Sequence, residues 1–388
     1  MKILQITKYP PIQGGVSSQC FWLSRMLCML GHDVTVITNS QEVESEYKID
    51  MSSQDIEFAL NDSFDGRLSI VSTAIDPYHR YIPRGNPIIS KLTTSALLQI
   101  EINRPDIIFS RYFEPYSIAG AMVSMYTGIG HVVAHAGSDV GRLLKSPALK
   151  TSYEMVLNQA KAVMTNRNEL GIPDEKQIMG HSGWLPTEFF HPRTNTRSGT
   201  FRFGIYGKTG KNKGSFELIE AISRLAKEGI DCEVYAVWGG PTLPALVEAS
   251  QRLGIGDRLR ILNYMPHWKI PEFIVSCDAM LFLENSFPIE QHTPQIPIEA
   301  LSCGRPILLT NEIYNKELFC DFRHLNCFSL IAEPFCVESL VTGMRKMMDL
   351  GAKYRGHTME WIDVRAREEA SFWRVATQFE RALKLCQS

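Results

Sequence analysis

The alternation of short β-rich runs with helical patterns, begun at the N-terminus and begun again after residue 200, constrains this chain more than any other feature. The first round has strand candidates at Lys2–Thr7, Asp33–Thr38, Leu68–Val71, Asp106–Phe109, His131–Ala134 and Ala162–Thr165. Between the first two, Val16, Cys20, Leu23, Leu27 and Leu30 recur at helical spacing and predict one apolar face. Gly31 stands where a helix C-cap glycine belongs. The polar, aperiodic run His191–Thr200 reads as a linker. The second round then places strands at Phe203–Tyr206, Cys232–Val237, Leu259–Leu262, Ala279–Leu283 and Pro306–Leu309. Helical patterns accompany them at Gly214–Glu228, Leu243–Leu253, Ile270–Ser276 and Pro297–Cys303. A long, charged, helical stretch closes the chain at Thr358–Cys386. Alternating β and α elements demand parallel sheets covered on both faces, so the expectation is α/β with two similar halves. The domains expected are 1–192, joined by a C-terminal helix at about 370–388, and 200–365.

Length and composition agree. At 388 residues two domains are expected before one. Lys plus Arg number 40 against 42 Asp plus Glu, a formal net charge of -2 that argues against a dedicated nucleic-acid binder. The nine cysteines include no C-x-x-C pair and are odd in number, so neither a disulfide framework nor a zinc site is expected. A reducing cytosol is the simplest compartment. The opening run is too short for the apolar core of a signal peptide, and no segment reaches the roughly 18 apolar residues of a membrane span. The chain is therefore expected to be cytoplasmic.

The chemistry-bearing residues gather at strand-to-helix junctions. In an open α/β sheet, ligands bind beyond the C-terminal ends of the strands. Gly14 and Gly15 lie in the first such junction, where paired glycines let backbone approach a phosphate at a helix N-terminus. The same pair serves equally as an ordinary turn. His135, directly after a strand, could donate to a sugar hydroxyl or a developing charge, with Asp139 orienting it or binding an acceptor. A loop histidine satisfied by backbone is the plainer alternative.

The run from Gly207 through Lys208, Lys211 and Lys213 to Gly214 is a candidate pyrophosphate cradle at a helix N-terminus. There Lys208 and Lys213 would neutralise a departing nucleoside diphosphate; the competing reading is a solvated basic loop. It is not a Walker A loop, because Arg202 stands where that motif needs glycine before Gly207-Lys208-Thr209, and Asn212 follows Gly210-Lys211. Nor does the chain contain the dinucleotide G-x-G-x-x-G, which disfavours a nicotinamide dehydrogenase. Gly240, in the turn after the next strand, supports a ligand cleft and is equally good turn chemistry. The segment Glu284–Leu301 concentrates polar groups between a strand and a short helix. Glu299, set among apolar residues there, is acceptor-only with two oxygens and suits a ribose diol. As a first-turn residue it could instead complement the helix dipole.

Together these features resemble the retaining family 4 glycosyltransferases of GT-B fold (glycosyl transferases group 1), over nearly the whole chain. The carrying residues are Gly14-Gly15-Val16, Gly31-His32-Asp33-Val34, His135 to Asp139 as an H-G-x-D type segment, Lys208 and Lys213 as the G-[RK]-x-x-x-x-K-G phosphate site, and Phe372-Trp373 in the last helix. The resemblance implies two Rossmann-like domains whose parallel sheets face each other across a cleft, with the C-terminal helix crossing back to the N-terminal domain. It implies sugar transfer from a nucleotide-diphosphate sugar, UDP- or GDP-linked, with retained anomeric configuration. It implies no metal and no cofactor, in keeping with the lack of an Asp-x-Asp triplet. His135, Lys208 and Lys213 would be catalytic and Asp139 acceptor-side. Gly14, Gly15, Gly207, Gly240, Glu290, Gln291, Thr293 and Glu299 would bind donor. Glu299 matches the second of the family's two donor-site glutamates, whereas Gln291 departs from the first, with Glu290 adjacent.

A glycan, lipid-linked or small-molecule acceptor is expected, in cell-surface polysaccharide or glycoconjugate biosynthesis, with no nucleic-acid partner. The aromatic and basic run Tyr78–Arg84 reads as a surface loop or as a contact with the inner membrane face. A non-catalytic GT-B partner subunit and a nucleotide-sugar epimerase on the same fold are the competing functions.

Overall fold

The computed structural model describes residues 1–60, 64–75, 85–137, 139, 145–165, 170–179, 185–287 and 294–387. The Tyr78–Arg84 run lies outside the described residues. Two compact units divide the chain: residues 1–185 with 368–388, and residues 186–367. Among the described residues no helix is long and apolar enough to cross a membrane.

The first unit is built on seven strands, β1 (Lys2–Ile6), β2 (Asp33–Thr38), β3 (Leu68–Ser72), β4 (Ile107–Arg111), β5 (His131–Ala134), β6 (Ala162–Thr165) and β7 (Gln177–Met179). They pair in the order β3-β2-β1-β4-β5-β6-β7. All pairs are parallel, Ile3 standing opposite Val34 on one side and Ile107 on the other. Every residue of β4, β5 and β6 is buried, as a sheet covered on both faces requires. The helices are α1 (Gly15–Met29), α2 (Ser53–Leu60), α3 (Ile88–Ile102), α4 (Ile118–Thr127) and α5 (Lys150–Gln159).

Helix α1 ends as expected. Gly31 has φ +79°, and the His32 N–H donates to the Leu27 carbonyl at 3.0 Å, closing a left-handed cap. Its burial is wider than the single face read from the sequence: the nine consecutive positions from Cys20 to Cys28 are all buried, as is Ser17. The cause is a second layer on its outer side. Arg25 sits among the rings of Phe21, Phe58 and Phe64, at 5.5, 4.6 and 4.7 Å, and donates to the Phe58 carbonyl.

The second unit has six parallel strands, β8 (Phe201–Lys208), β9 (Cys232–Gly239), β10 (Leu259–Leu262), β11 (Ala279–Phe282), β12 (Ile307–Thr310) and β13 (Phe328–Ile331). Their order, β10-β9-β8-β11-β12-β13, is the Rossmann pattern of two three-stranded halves wound outward from a central pair. Helices α6 (Ser215–Lys227), α7 (Leu243–Arg252), α8 (Ile270–Val275), α9 (Ile296–Ser302), α10 (Asn311–Tyr314) and α11 (Val337–Tyr354) connect and cover them. The core runs through Phe203, Leu218, Ile222, Val234, Leu281, Leu308 and Met344, all fully buried. Each such side chain contributes about 2 kcal/mol by leaving water.

The polar run expected as a linker is fixed to this second unit. The Asn195 amide donates to the Cys277 carbonyl at 3.1 Å and to Asp278 at 2.9 Å, and Arg305 donates to the Arg193 carbonyl at 2.7 Å. The run carries no apolar period because its hold is by hydrogen bonds. The last helix, α12 (Val364–Gln387), joins the first unit from residue 368 onward. Phe379 packs on Phe109 of β4 at 5.1 Å between ring centres. Gly130 makes room for Cys386, whose Cβ would lie 2.7 Å from any Cβ placed there.

Candidate functional site

In each sheet the strand order reverses once, between β1 and β4 and between β8 and β11. The C-terminal ends of those strands form the crevice in which open α/β sheets bind ligands. In the second unit the two loops at this point are tied together. The Asn212 side-chain amide donates to the carbonyls of Asn285 (3.2 Å) and Ser286 (2.6 Å), and the Asn285 N–H donates to the Asn212 carbonyl at 3.1 Å.

This clasp sets the lysines. Lys213 ends a tight turn, Lys211–Lys213, that leads into α6. Its ammonium pairs with the buried Glu284 carboxylate at the end of β11 and lies 4.3 Å from the ring centre of Phe287. Burial, then the neighbouring Lys208 ammonium, pull the Lys213 pKa down to about 8. Lys208 closes β8 and is the more exposed of the two. Gly214, which starts α6, must be glycine. Its φ is +63°, and a Cβ there would meet Leu283 Cβ at 2.8 Å and the Phe335 ring at 2.9 Å. Gly207 is also left-handed, at φ +127°.

The turn holding Gly240 belongs to the same edge. Thr209 donates through its hydroxyl to the Gly239 carbonyl at 3.0 Å and contacts the Thr242 hydroxyl at 2.6 Å. Glu299 lies on α9, 5% exposed, with both carboxylate oxygens engaged. Oε2 accepts from the Tyr206 hydroxyl, and Oε1 meets His267 Nε2 at 3.0 Å. Burial and the Glu299 charge raise the Tyr206 pKa well above its ordinary value, so the phenol stays a donor. His267 is backed by the Phe190 ring at 5.0 Å. A Cβ on Gly207 would stand 3.8 Å from Ile296 of α9, so the helix carrying Glu299 borders the lysine strand.

One edge of the second unit thus carries Gly207, Lys208, Lys213, Gly240 and Glu299. Glu290, Gln291 and Thr293 lie outside the described residues. Tyr206, His267 and Glu284 are partners that sequence reasoning did not single out. Tyr206 had a signal, because strand alternation puts it on the face of Lys208. Glu284 heads the polar segment after a strand, but its pairing with Lys213 was not legible, and His267 had no signal.

The first unit holds the other candidates. Gly14, at φ +137°, caps α1 without a side-chain hydrogen bond, and Gly15 is exposed with nothing within 4 Å of an added Cβ. Among the described residues no side chain caps the start of α1, which suits an anion and also satisfies the turn reading. His135, directly after β5, is buried. Its Nε2 meets the Thr165 hydroxyl and its Nδ1 lies 3.4 Å from the Ala136 carbonyl. Asp139 is fully buried too, and accepts the Ala136 N–H at 2.6 Å. Burial raises its pKa to about 7 against the pull of backbone N–H groups and the Lys8 and Arg111 charges.

Two Rossmann-like parallel-sheet units, the second with a lysine- and glycine-lined switch point beside a buried glutamate, make this a GT-B-fold protein. Residues 186–358, most of the second unit, match the family model of glycosyl transferases group 1. The 2-deoxystreptamine glucosyltransferase of Streptomyces kanamyceticus is 24% identical over 146 residues, 38% of this chain and 36% of that protein, so the match spans little more than a third of the relative. Over the full fold, sucrose-phosphate synthase from Thermosynechococcus elongatus superposes with a TM-score of 0.65 at 14% identity, covering 100% of this chain and 98% of the other. Anabaena HepE in complex with UDP-glucose gives 0.65 at 15%, covering 100% of both.

Proposed function

We propose that the protein is a glycosyltransferase that moves a sugar from a nucleotide-diphosphate sugar to a glycan, lipid-linked or small-molecule acceptor, with retention at the anomeric carbon. The observation that carries this reading is the clasped switch point of the second unit. It holds two lysines and a helix N-terminus on the same sheet edge as a carboxylate fixed on both oxygens.

The physical task is to stabilise a diphosphate as it leaves and an oxocarbenium-like carbon behind it. Lys208, Lys213 and the first N–H groups of α6 supply charge and donors where negative charge develops. Each carboxylate oxygen of Glu299 has a further lone pair for a ribose hydroxyl, while Tyr206 and His267 keep it from turning. In this reading the lysines carry the charge stabilisation without a metal ion. Gly14 and Gly15 would add backbone N–H groups at the start of α1 to donor binding. His135 and Asp139 shape the acceptor side from behind, since both are buried. Work in the cytoplasm, on acceptors for cell-surface glycans at the inner membrane face, completes the proposal.

The test is a calorimetric and thermal-shift screen of UDP, GDP, ADP and their sugars, UDP-glucose first because HepE was solved with it. A donor that binds is then assayed for sugar release and transfer. Transfer or hydrolysis that is lost in Lys208→Ala supports the proposal. Tight binding without turnover would assign a non-catalytic GT-B subunit, and turnover of the sugar with the nucleotide still attached would assign an epimerase.

A further inference from the structure

The charge balance at the switch point carries a consequence for Glu284. Its backbone is anchored, because the Thr310 hydroxyl donates to its carbonyl at 2.6 Å. Its side chain is 5% exposed and reaches Lys213, whose own side chain is 28% exposed. The Asn212 clasp and the Phe287 ring hold Lys213 against it. Among the described residues Lys208 and Lys213 bring two positive charges to the cradle, and Glu284 pairs with Lys213. A carboxylate so placed does for Lys213 what a phosphate oxygen would do: it accepts from the ammonium and neutralises it.

We infer that Glu284 is an internal counter-ion that competes with the donor diphosphate for Lys213 and so sets the nucleotide affinity of the site. This rests on the reading of the lysine loop as a diphosphate cradle. Binding a nucleoside diphosphate requires Lys213 to exchange the Glu284 carboxylate for a phosphate oxygen. The displaced carboxylate then remains nearby as a like charge to the phosphates. Both effects weaken the hold on the diphosphate, and they weaken it for the product as much as for the donor. An enzyme gains by this when release of product limits turnover, because uniform binding of ground states does not raise kcat.

The experiment is a double-mutant cycle read by calorimetry with UDP, GDP and ADP. Wild type, Glu284→Gln, Lys213→Gln and the double variant are compared. Removing one negative charge a few ångströms from a diphosphate predicts a Kd about tenfold lower in Glu284→Gln. That gain appears although the variant melts lower, having lost an ion pair. In the Lys213→Gln background the gain shrinks, since the exchange no longer occurs and only the like-charge repulsion is relieved. With a donor that turns over, kcat and KM of Glu284→Gln fall together as product release slows. A purely structural carboxylate would lower the melting temperature and leave affinity unchanged or weaker, and that result overturns the inference. Should Glu284→Gln fail to fold, Glu284→Asp keeps the charge but draws it back by one methylene, and must bind the diphosphate more tightly than wild type. Binding that tightens equally with and without Lys213 also overturns the exchange. No binding of any nucleoside diphosphate by any of the proteins would remove the cradle reading itself, and this inference with it.

Discussion

The Tyr206 hydroxyl donates to the Glu299 carboxylate across 93 residues of sequence. The phenol's proton is secured by burial and by the charge it serves. Tyr206→Phe keeps the ring against Phe273 and removes only that donor. A buried acceptor left short of a partner costs about 1–3 kcal/mol. The expected outcome is a nucleoside diphosphate Kd raised by about five- to tenfold, from a Glu299 no longer held in one orientation. Glu299→Ala, which removes the ribose acceptor itself, should raise it further. Calorimetry on the two variants checks the order.

The two lysines should separate under alanine substitution. Either loss should lower kcat/KM by about a hundredfold or more, since each removes charge aimed at the leaving group. Their stabilities should differ. Lys208→Ala removes the more exposed of the two side chains and should lower the melting temperature less. Lys213→Ala takes the ammonium from the buried Glu284 carboxylate and should lower the midpoint by several degrees. Equal melting temperatures would show that the Lys213–Glu284 pair carries no stability.

These pairings mark the limit of what the chain discloses before it is folded. A βαβ unit is local, so its alternation is written directly in residue order: Asp33–Thr38, His131–Ala134, Ala162–Thr165 and Leu259–Leu262 are strands at the bounds read from the sequence. Lys208, Lys213 and Glu299 could be named as candidates from the sequence because junctions after strands are where ligands bind. What stayed hidden is distant or weakly patterned. Lys213 and Glu284 are 71 residues apart and meet only because β8 pairs with β11. The strand Gln177–Met179 is three residues long, too short for a period. Helix α4 has buried residues around most of its circumference, with Met122, Met125 and Tyr126 still exposed, and shows no single apolar face. The burial of His135 depends on Thr165, a neighbour supplied by the next strand.

Gly214 gives a test of the cradle that touches no charged group. Alanine there would force a left-handed φ on a residue with a Cβ and drive that Cβ into Leu283 and Phe335. Strain of this kind costs about 1–3 kcal/mol, and relief comes only by moving the Lys211–Lys213 turn. The expected result for Gly214→Ala is a lower melting temperature together with weakened nucleotide binding. Gly229→Ala is the control. Gly229 is left-handed at φ +75°, has nothing within 4 Å of an added Cβ, and lies at the far end of α6. It should lose stability alone.

Acid stability should turn on two buried groups of opposite effect. His131 is buried with its Nε2 on the Ser110 hydroxyl at 2.7 Å, and Gly120 presses on the ring so closely that a Cβ would stand 2.6 Å from Nε2. Burial, opposed by the Gln159 side chain, lowers its pKa to about 3. Above the unfolded value of about 6.5 the neutral ring costs nothing to keep, and its contribution is lost progressively as pH falls from there toward 3. Asp139 runs the other way. With its folded pKa raised to about 7, the folded state binds the extra proton, and stability falls as pH rises from the unfolded value of about 3.9 toward 7. Between about pH 4 and 6.5 the two slopes oppose, so the wild-type melting temperature should be nearly flat there. Asp139→Asn, which can still accept the Ala136 N–H, should expose the histidine limb and make melting fall steeply on acidification. His131→Asn should expose the aspartate limb, with melting that rises as pH drops through the same window. Thermal melts of the three proteins at half-unit pH steps check the signs, and parallel curves would show that neither group titrates with folding.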